Sequence, residues 1–564
     1  MHVRRKAVAV SALAAIAIGI PVAAGSADAS SAGSGSDRVS HVLLISVDGL
    51  HQSDLAWYVA THPSSELAKL VGGGRQYTNA HAPVPTDSDP GMTAQMTGGD
   101  PRTTGVYYDV EYNHALLPPG TPSCTPGMKL GANVIYDSPD DKDVTRLDAG
   151  QGLSGLPGSI LQMTSKPQTL LVPSTFPVDP KTCQPIPPHA YLEVNTIFNV
   201  IHDHGLRTAW SDKHPVYESF NGPSGNGIDD LFAPEIDSTA LQPNGTPYPG
   251  NIAWTGDNAA TMQYDSYKVQ AVINEIDGYN HSGTEKLGVP AIMGMNFQTV
   301  STAEKLPVSD GLNGGYLPGT KIPGPLLRRA LGYINSSLER MVREIHKQGL
   351  ASSTAIIISA KHGQSPQNPL ALTRISDGPI IDHINDAWAK LHPGGPALVA
   401  AASDDDAMLM WLSNRSVEAT SFVKGFLLGH NATGTTYNVS HPELAGPPRT
   451  LEHSGLAQVF AGIDAARFFG VDPSDPRHPD VLGVVQRGVV YTGGLGKIAE
   501  HGGSGAEDRD VALVIYAPSV VHAGLVSESV QTRQIAPTIL QLLGLNPQDL
   551  KAVQIEGTKV LPGA

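Results

Sequence analysis

Six short apolar runs recur along the chain: Val42–Val47, Ala291–Met295, Ala355–Ser359, Met408–Leu412, Gly488–Tyr491 and Val511–Tyr516. Runs of this length without polar alternation are expected of strands buried on both faces. A longer segment, Pro325 to Gln348, has helical periodicity instead. It opens on a proline, and Ala330, Ile334, Leu338, Met341, Val342 and Ile345 form one apolar stripe. It leads straight into Ala355–Ser359, so it reads as the helix of a crossover unit. A second helix near the end carries Ile535, Ile539, Leu542 and Leu543 and stops at Gly544. Strands alternating with helices predict an α/β fold in three layers, α/β/α, around a central and mostly parallel sheet.

The pattern fails between about Tyr112 and Pro188, where prolines are dense and both cysteines lie. That stretch, 112–188, reads as a loop-rich insertion over one end of the sheet, a position from which loops shape pockets. No internal repeat is visible. The expectation is one large domain over 39–545, with 546–564 as a C-terminal tail. Ahead of it, Arg4, Arg5 and Lys6 precede 14 apolar residues, Ala7 to Ile20, and Ala27-Asp28-Ala29 offers a small-residue cleavage site. This is the pattern of a signal peptide over 1–29, cleaved after about Ala29, followed by a Ser/Gly lead-in over 30–38. The expected location is therefore secreted.

Gly and Pro together number 105, about 19% of 564 residues, below the level of low-complexity disorder. The net charge is −16, and removing 1–29 deletes three bases and one acid, leaving −18. Such a balance argues against duplex nucleic acid or a membrane surface as partner. Small phosphate esters or nucleotides remain open as substrates, because a bound metal can invert the local field. Nothing in the sequence sets the oligomeric state. Cys124 and Cys183 are the only cysteines, and in an exported chain two cysteines are expected to form one structural disulfide.

Polar residues cluster where strands should end, which is where open parallel sheets bind ligands. Val42–Val47 runs into Asp48-Gly49, Ala355–Ser359 into Ala360-Lys361-His362-Gly363, and Glu500-His501-Gly502-Gly503 precedes the run Val511–Tyr516. Each is also an ordinary turn sequence taken singly; together they suggest an Asp/His metal site. The segment from Pro85 to Gly98 (PTDSDPGMTAQMTG) predicts a short helix with Pro90 as its first residue and Gly98 as its stop. Ser88 then sits just before a helix N-terminus, either as an N-cap or as a nucleophile at an anion-binding point. No G-x-S-x-G pentapeptide, P-loop or dinucleotide fingerprint occurs.

The ordered set DG, PTxSxPxxxxxxTG, AKHG and EHGG resembles the alkaline phosphatase superfamily, and most closely its type I phosphodiesterase/nucleotide pyrophosphatase branch. The resemblance implies a metal-dependent hydrolase of phosphodiester or nucleotide pyrophosphate bonds acting through a covalent phosphoseryl intermediate. It implies Ser88 as nucleophile and metal ligand, Asp48 and His362 as ligands of the same ion, and His501 as a ligand of the other. The implied metal is zinc, one or two ions. A phosphomonoesterase or sulfatase on the same fold, or a binding protein keeping only the scaffold, stays open.

The departures from the family pattern shape the expectation further. Lys361 replaces the Asp of the family's SDHG segment, so its ammonium is expected to stand in for one metal at a phosphoryl oxygen. The segment from Met295 to Thr302 is the best match for EPDxxGH, placing Gln298 and Thr302, both poor zinc ligands, on its Asp and His. Gly91 replaces an oxyanion-binding Asn. Asp212, Lys213 and His214, and more weakly Glu304 and Glu500, are candidates to complete a second site, although Asp212–His214 reads more simply as a solvated strand end. The run Asp404-Asp405-Asp406 reads as a solvated loop, and His51, His81, His114, His383 and His453 as surface or packing residues.

Overall fold

The computed structural model describes residues 38–564, so the signal peptide and all but the last residue of the lead-in lie outside the described residues. Eight strands make the central sheet: β1 (His41–Val47), β2 (Arg75–Tyr77), β3 (Ala209–Ser211), β4 (Asp230–Phe232), β5 (Ile292–Phe297), β6 (Thr354–Ser359), β7 (Val514–Tyr516) and β8 (Gly524–Val526). Their order across the sheet is β8-β2-β7-β6-β1-β5-β3-β4. The pairs β6–β1, β1–β5, β5–β3, β3–β4 and β2–β8 are parallel, and only β7 runs against its neighbours. All six residues of β5 and of β6 are buried, as are the last six of β1. That requires cover on both faces, which is why these three strands read as unbroken apolar runs.

The helices that matter for the site are α1 (Ser88–Thr97), α2 (Asn258–Ile276), α3 (Thr299–Lys305), α4 (Pro325–Lys347) and α5 (Ile535–Leu542). Helices α2, α3 and α4 pack on one another, while α1 packs with α5. The stripe from Ala330 to Ile345 is the buried face of α4. Helix α5 ends ahead of Gly544, whose φ of +74° is a left-handed stop.

Two of the six apolar runs belong elsewhere. Ala407–Leu412 lies in an antiparallel four-stranded sheet with Val399–Asp404, Leu456–Ala461 and Val481–Val485, and Val489–Tyr491 lies in a mixed four-stranded sheet, pairing in parallel with Thr373–Ile375 beside Ala432–Tyr437 and Ala445–Leu451. Both cover apolar surface of a second core containing Ile380, Ile384, Trp388 and Val423, so burial made them resemble central strands. The run Val511–Tyr516 is likewise broken, into Asp510–Val511 and β7. Residues 546–564 are not a loose end: the helix Lys551–Glu556 buries Ala552 and Val553, and Glu556 pairs with Arg102.

Within 112–188 the chain forms two short hairpins and several single turns of 3-10 helix. Cys124 and Cys183 are joined in a disulfide across 59 residues of sequence. Closing a loop of that length removes about 4 kcal/mol of chain entropy from the unfolded state. Cys183→Ser is therefore expected to lower Tm measurably and to open 112–188 to proteolysis. A variant with unchanged Tm and protease pattern would contradict this.

Candidate active site

Four adjacent parallel strands deliver polar residues to one edge of the sheet. Val47 pairs with Phe297 and Ser46 with Ser359, so the next residues, Asp48, Gln298 and Lys361, emerge level with one another. His362 follows Lys361, and β3 leads into Asp212-Lys213-His214 two strands away. Gly49 has φ of +84°, a turn that glycine makes without strain and that takes the chain away behind Asp48. Helix α1 supplies the last component. Asp87 is its N-cap and Ser88 its first residue, with Gly98 left-handed at its end. The helix thus starts two residues earlier than the proline suggested, because the Asp87 carboxylate caps the Asp89 N–H. Ser88 is 2% exposed.

Lys213 Nζ lies 3.2 Å from Ser88 Oγ. Lys361 Nζ lies 3.3 Å from Asp48 Oδ2, which also accepts from the Gln298 amide. His362 donates Nδ1–H to the Gly363 carbonyl at 3.0 Å; its Nε2 stands 3.9 Å from Asp48 Oδ1. His501 packs against it with ring centroids 4.0 Å apart, and His501 Nδ1 stands 3.9 Å from Asp87 Oδ1. Among the described residues, His362 Nε2, His501 Nδ1 and Asp87 Oδ1 are buried without a hydrogen-bond partner. Beside these groups lies a cavity of about 540 Å³ whose lining includes Asp87, Ser88, Lys213, Gln298, Thr302 and His501.

Charge in this cavity is set by burial and by ammonium groups. Burial opposes ionisation of Asp48, but the ammonium groups of Lys361 and Lys213 outweigh it and hold the carboxyl well below the usual range. Burial would discharge the Lys213 ammonium, yet Asp48, Asp89 and Asp87 keep it firmly protonated. It therefore acts on Ser88 as a cation and not as a base. Burial pushes His362 down to about 3 and His501 well below its usual value, so both imidazoles are neutral.

A neutral imidazole whose Nδ1–H is fixed by a carbonyl, leaving a buried Nε2 with no partner, is oriented as a metal ligand. With ionised Asp48 3.9 Å away, the pair offers donors to one divalent cation. The residues at the family's second position supply no further set. Gln298 is committed to Asp48, and Thr302 Oγ1 accepts from Asn258. Asp405, Glu500 and His501 do place donor atoms within 4.8 Å of one another, but Glu500 already pairs with Lys305 and Lys497.

Asp48, Ser88, Gln298, Lys361, His362 and His501 are thus brought together. Thr302 lines the same cavity. Lys361 differs from expectation: it is 0% exposed and does not line the cavity, so its ammonium holds Asp48 and does not reach a substrate. Gly91 also faces away. A Cβ there would stand 2.5 Å from the Lys361 carbonyl oxygen, so glycine lets α1 approach β6. Asp212–His214 is no solvated strand end: Asp212 accepts from Trp210, His214 bonds Glu235, and all three side chains are engaged. Asp405 lines the cavity and Asp406 is buried against Ser365, so the acidic run is no solvated loop. His51 is buried against Asp54 and Tyr316. Lys305 and Lys497 went unnoticed because neither belongs to a recognisable motif.

Burial, reinforced by Asp87 and Asp137, pushes Asp109 up to about 8, and burial beside Glu500 does the same to Asp405. Both carboxyls are neutral below that pH and charged above it, and both line the cavity. An anionic substrate is therefore expected to bind about tenfold more weakly at pH 9 than at pH 7. The check is KM against pH for the protein and for Asp109→Asn, which should flatten the rise. A KM that does not change with pH would count against this electrostatic picture.

Residues 42–119, which include Asp48 and Ser88, match the family model described as type I phosphodiesterase / nucleotide pyrophosphatase. Among solved structures, wild-type alkaline phosphatase PafA is similar with a TM-score of 0.56 at 12% identity, covering 90% of this chain and 96% of that one. An inactive variant of murine ectonucleotide pyrophosphatase / phosphodiesterase 5, in complex with AMP, is similar with a TM-score of 0.50 at 11% identity, covering 90% and 99%. No match is found among curated protein sequences.

Proposed function

The chain carries the alkaline phosphatase superfamily fold, with residues 42–119 matching the type I phosphodiesterase / nucleotide pyrophosphatase family, and on that premise we propose that it is an exported hydrolase of phosphoric esters. Diesters or nucleotide pyrophosphates are the substrate class, and Ser88 is the nucleophile. The observation that carries this reading is the Ser88 hydroxyl at the first turn of a buried helix, 3.2 Å from a protonated lysine. The disulfide supports export. Among the described residues, no helix is long and apolar enough to cross a membrane.

Lys213 orients the hydroxyl and favours its ionised form, and the backbone N–H groups at the start of α1 face the phosphoryl oxygens. Ser88 Oγ attacks phosphorus, the P–O bond to the leaving alcohol or phosphate breaks, and phosphoserine forms. Water then attacks the same phosphorus, releasing the phosphoryl product and restoring the serine. Lys361 and Gln298 keep Asp48 ionised and in place throughout. A divalent cation, zinc by the mixed imidazole and carboxylate donors, held by Asp48, His362 and Ser88, would acidify the hydroxyl and polarise the phosphoryl group.

The test compares bis-p-nitrophenyl phosphate, p-nitrophenyl phosphate and p-nitrophenyl sulfate, with and without chelator, beside metal content by mass spectrometry. Expected are preference for the diester and one divalent equivalent per chain. Preference for the monoester or sulfate would move the substrate class, and no turnover with any common divalent metal would leave only a binding protein.

A further inference from the structure

The second ion position of the family, matched here by Gln298, Thr302 and His501, is not simply depleted. Helix α3 carries Thr302 and, one turn later on the same face, Lys305. Lys305 Nζ stands 3.3 Å from His501 Nε2 and 2.8 Å from Glu500 Oε2. Glu500 is also gripped by Lys497 through its other oxygen. Lys305, Lys497, Glu500 and His501 all line the cavity shared with Ser88. Lys305 is itself largely buried, its side chain 19% exposed.

Resting on the reading above, we propose that Lys305 is a catalytic residue that replaces the second metal ion, binding a non-bridging phosphoryl oxygen, with Glu500, His501 and Lys497 positioning it. An ammonium has three N–H donors. Among the described residues, Lys305 spends two of them on Glu500 and His501, which leaves one for a ligand in the cavity that Lys305 lines. Lys305 and Lys497 place two ammonium groups on this wall beside Glu500 and Asp405, where an ion would otherwise supply positive charge. Lys361 cannot do this work, being sealed from the cavity beside Asp48. The proposal also explains why neutral Gln298 and Thr302 are tolerated at the ligand positions: an ammonium needs no anionic cage beyond Glu500.

The experiment reads phosphate binding and metal content as well as rate. In a Ser88→Ala background, inorganic phosphate affinity is measured by calorimetry for Lys305, Lys305→Met and Lys305→Arg. Expected is a loss of at least about tenfold for Lys305→Met and substantial retention for Lys305→Arg. The metal content should not differ between Lys305, Lys305→Met and Lys305→Arg in either background, and in the Ser88 protein Lys305→Met should lower kcat/KM by about 10²-fold. Lys497→Met, which acts through Glu500, should lower phosphate affinity by a smaller factor and serves if Lys305→Met fails to fold. Unchanged phosphate affinity in Lys305→Met, or in Lys497→Met where that is the variant measured, would overturn the proposal, as would a second metal equivalent in the unaltered protein. If instead Ser88→Ala alone leaves turnover intact, the function reading falls and not merely this one.

Discussion

Ser88→Ala is expected to abolish turnover of every phosphoester the protein accepts, lowering kcat/KM by about 10⁴-fold or more, because a lost nucleophile cannot be compensated by positioning groups alone. The residual rate would come from whatever water the cavity holds near phosphorus. Alanine fills nearly the same volume and suits a first helical turn, so Tm should change little and the loss would be chemical. Acid quenching during turnover offers a second readout. The Ser88 protein should trap a phosphorylated peptide spanning α1, and the variant should not. Turnover that survives the substitution would show that the reacting oxygen comes from elsewhere.

Lys213→Met carries the second-largest expected effect, a fall in kcat/KM of about 10²- to 10³-fold, the size seen when one preorganised donor to a developing anion is removed. The structural reason is specific. The ammonium touches Ser88 and is kept charged by Asp48, Asp89 and Asp87, so its loss removes a cation from the nucleophile and leaves buried carboxylates without their partner. Those carboxylates would then take up protons, and stability should fall by about 3 kcal/mol or more. Lys213→Arg separates the two effects: charge and stability should return while the rate recovers only in part, since a guanidinium cannot occupy the ammonium's place. If the Met variant hydrolyses at the original rate, Lys213 has only a structural role.

Legibility in the sequence followed locality. Val42–Val47 and Ala355–Ser359 were recognisable as buried strands because each carries its burial in its own residues, and the residues just past them, Asp48, Lys361 and His362, inherited their position from strand geometry. The same locality misplaced Met408–Leu412 and Gly488–Tyr491, since a buried strand over a second core looks no different from one in the central sheet. Lys213 was discounted as a strand end because its value lies in a contact 125 residues away in sequence. Lys305 left no trace at all: one lysine at the end of a seven-residue helix has no pattern.

From the amino-acid order alone came the class of fold, the pairing of the two cysteines, and the candidate set Asp48, Ser88, His362 and His501, because hydrophobic period, cysteine number and motif order are properties of the chain itself. Which ammonium lines the cavity was decided only in three dimensions. Lys361 lies in a motif yet is buried against Asp48, whereas Lys213 and Lys305 lie in none and open onto the cavity. The reason is that a charge acts through distance and shielding, and both are settled by how separate strands and helices pack.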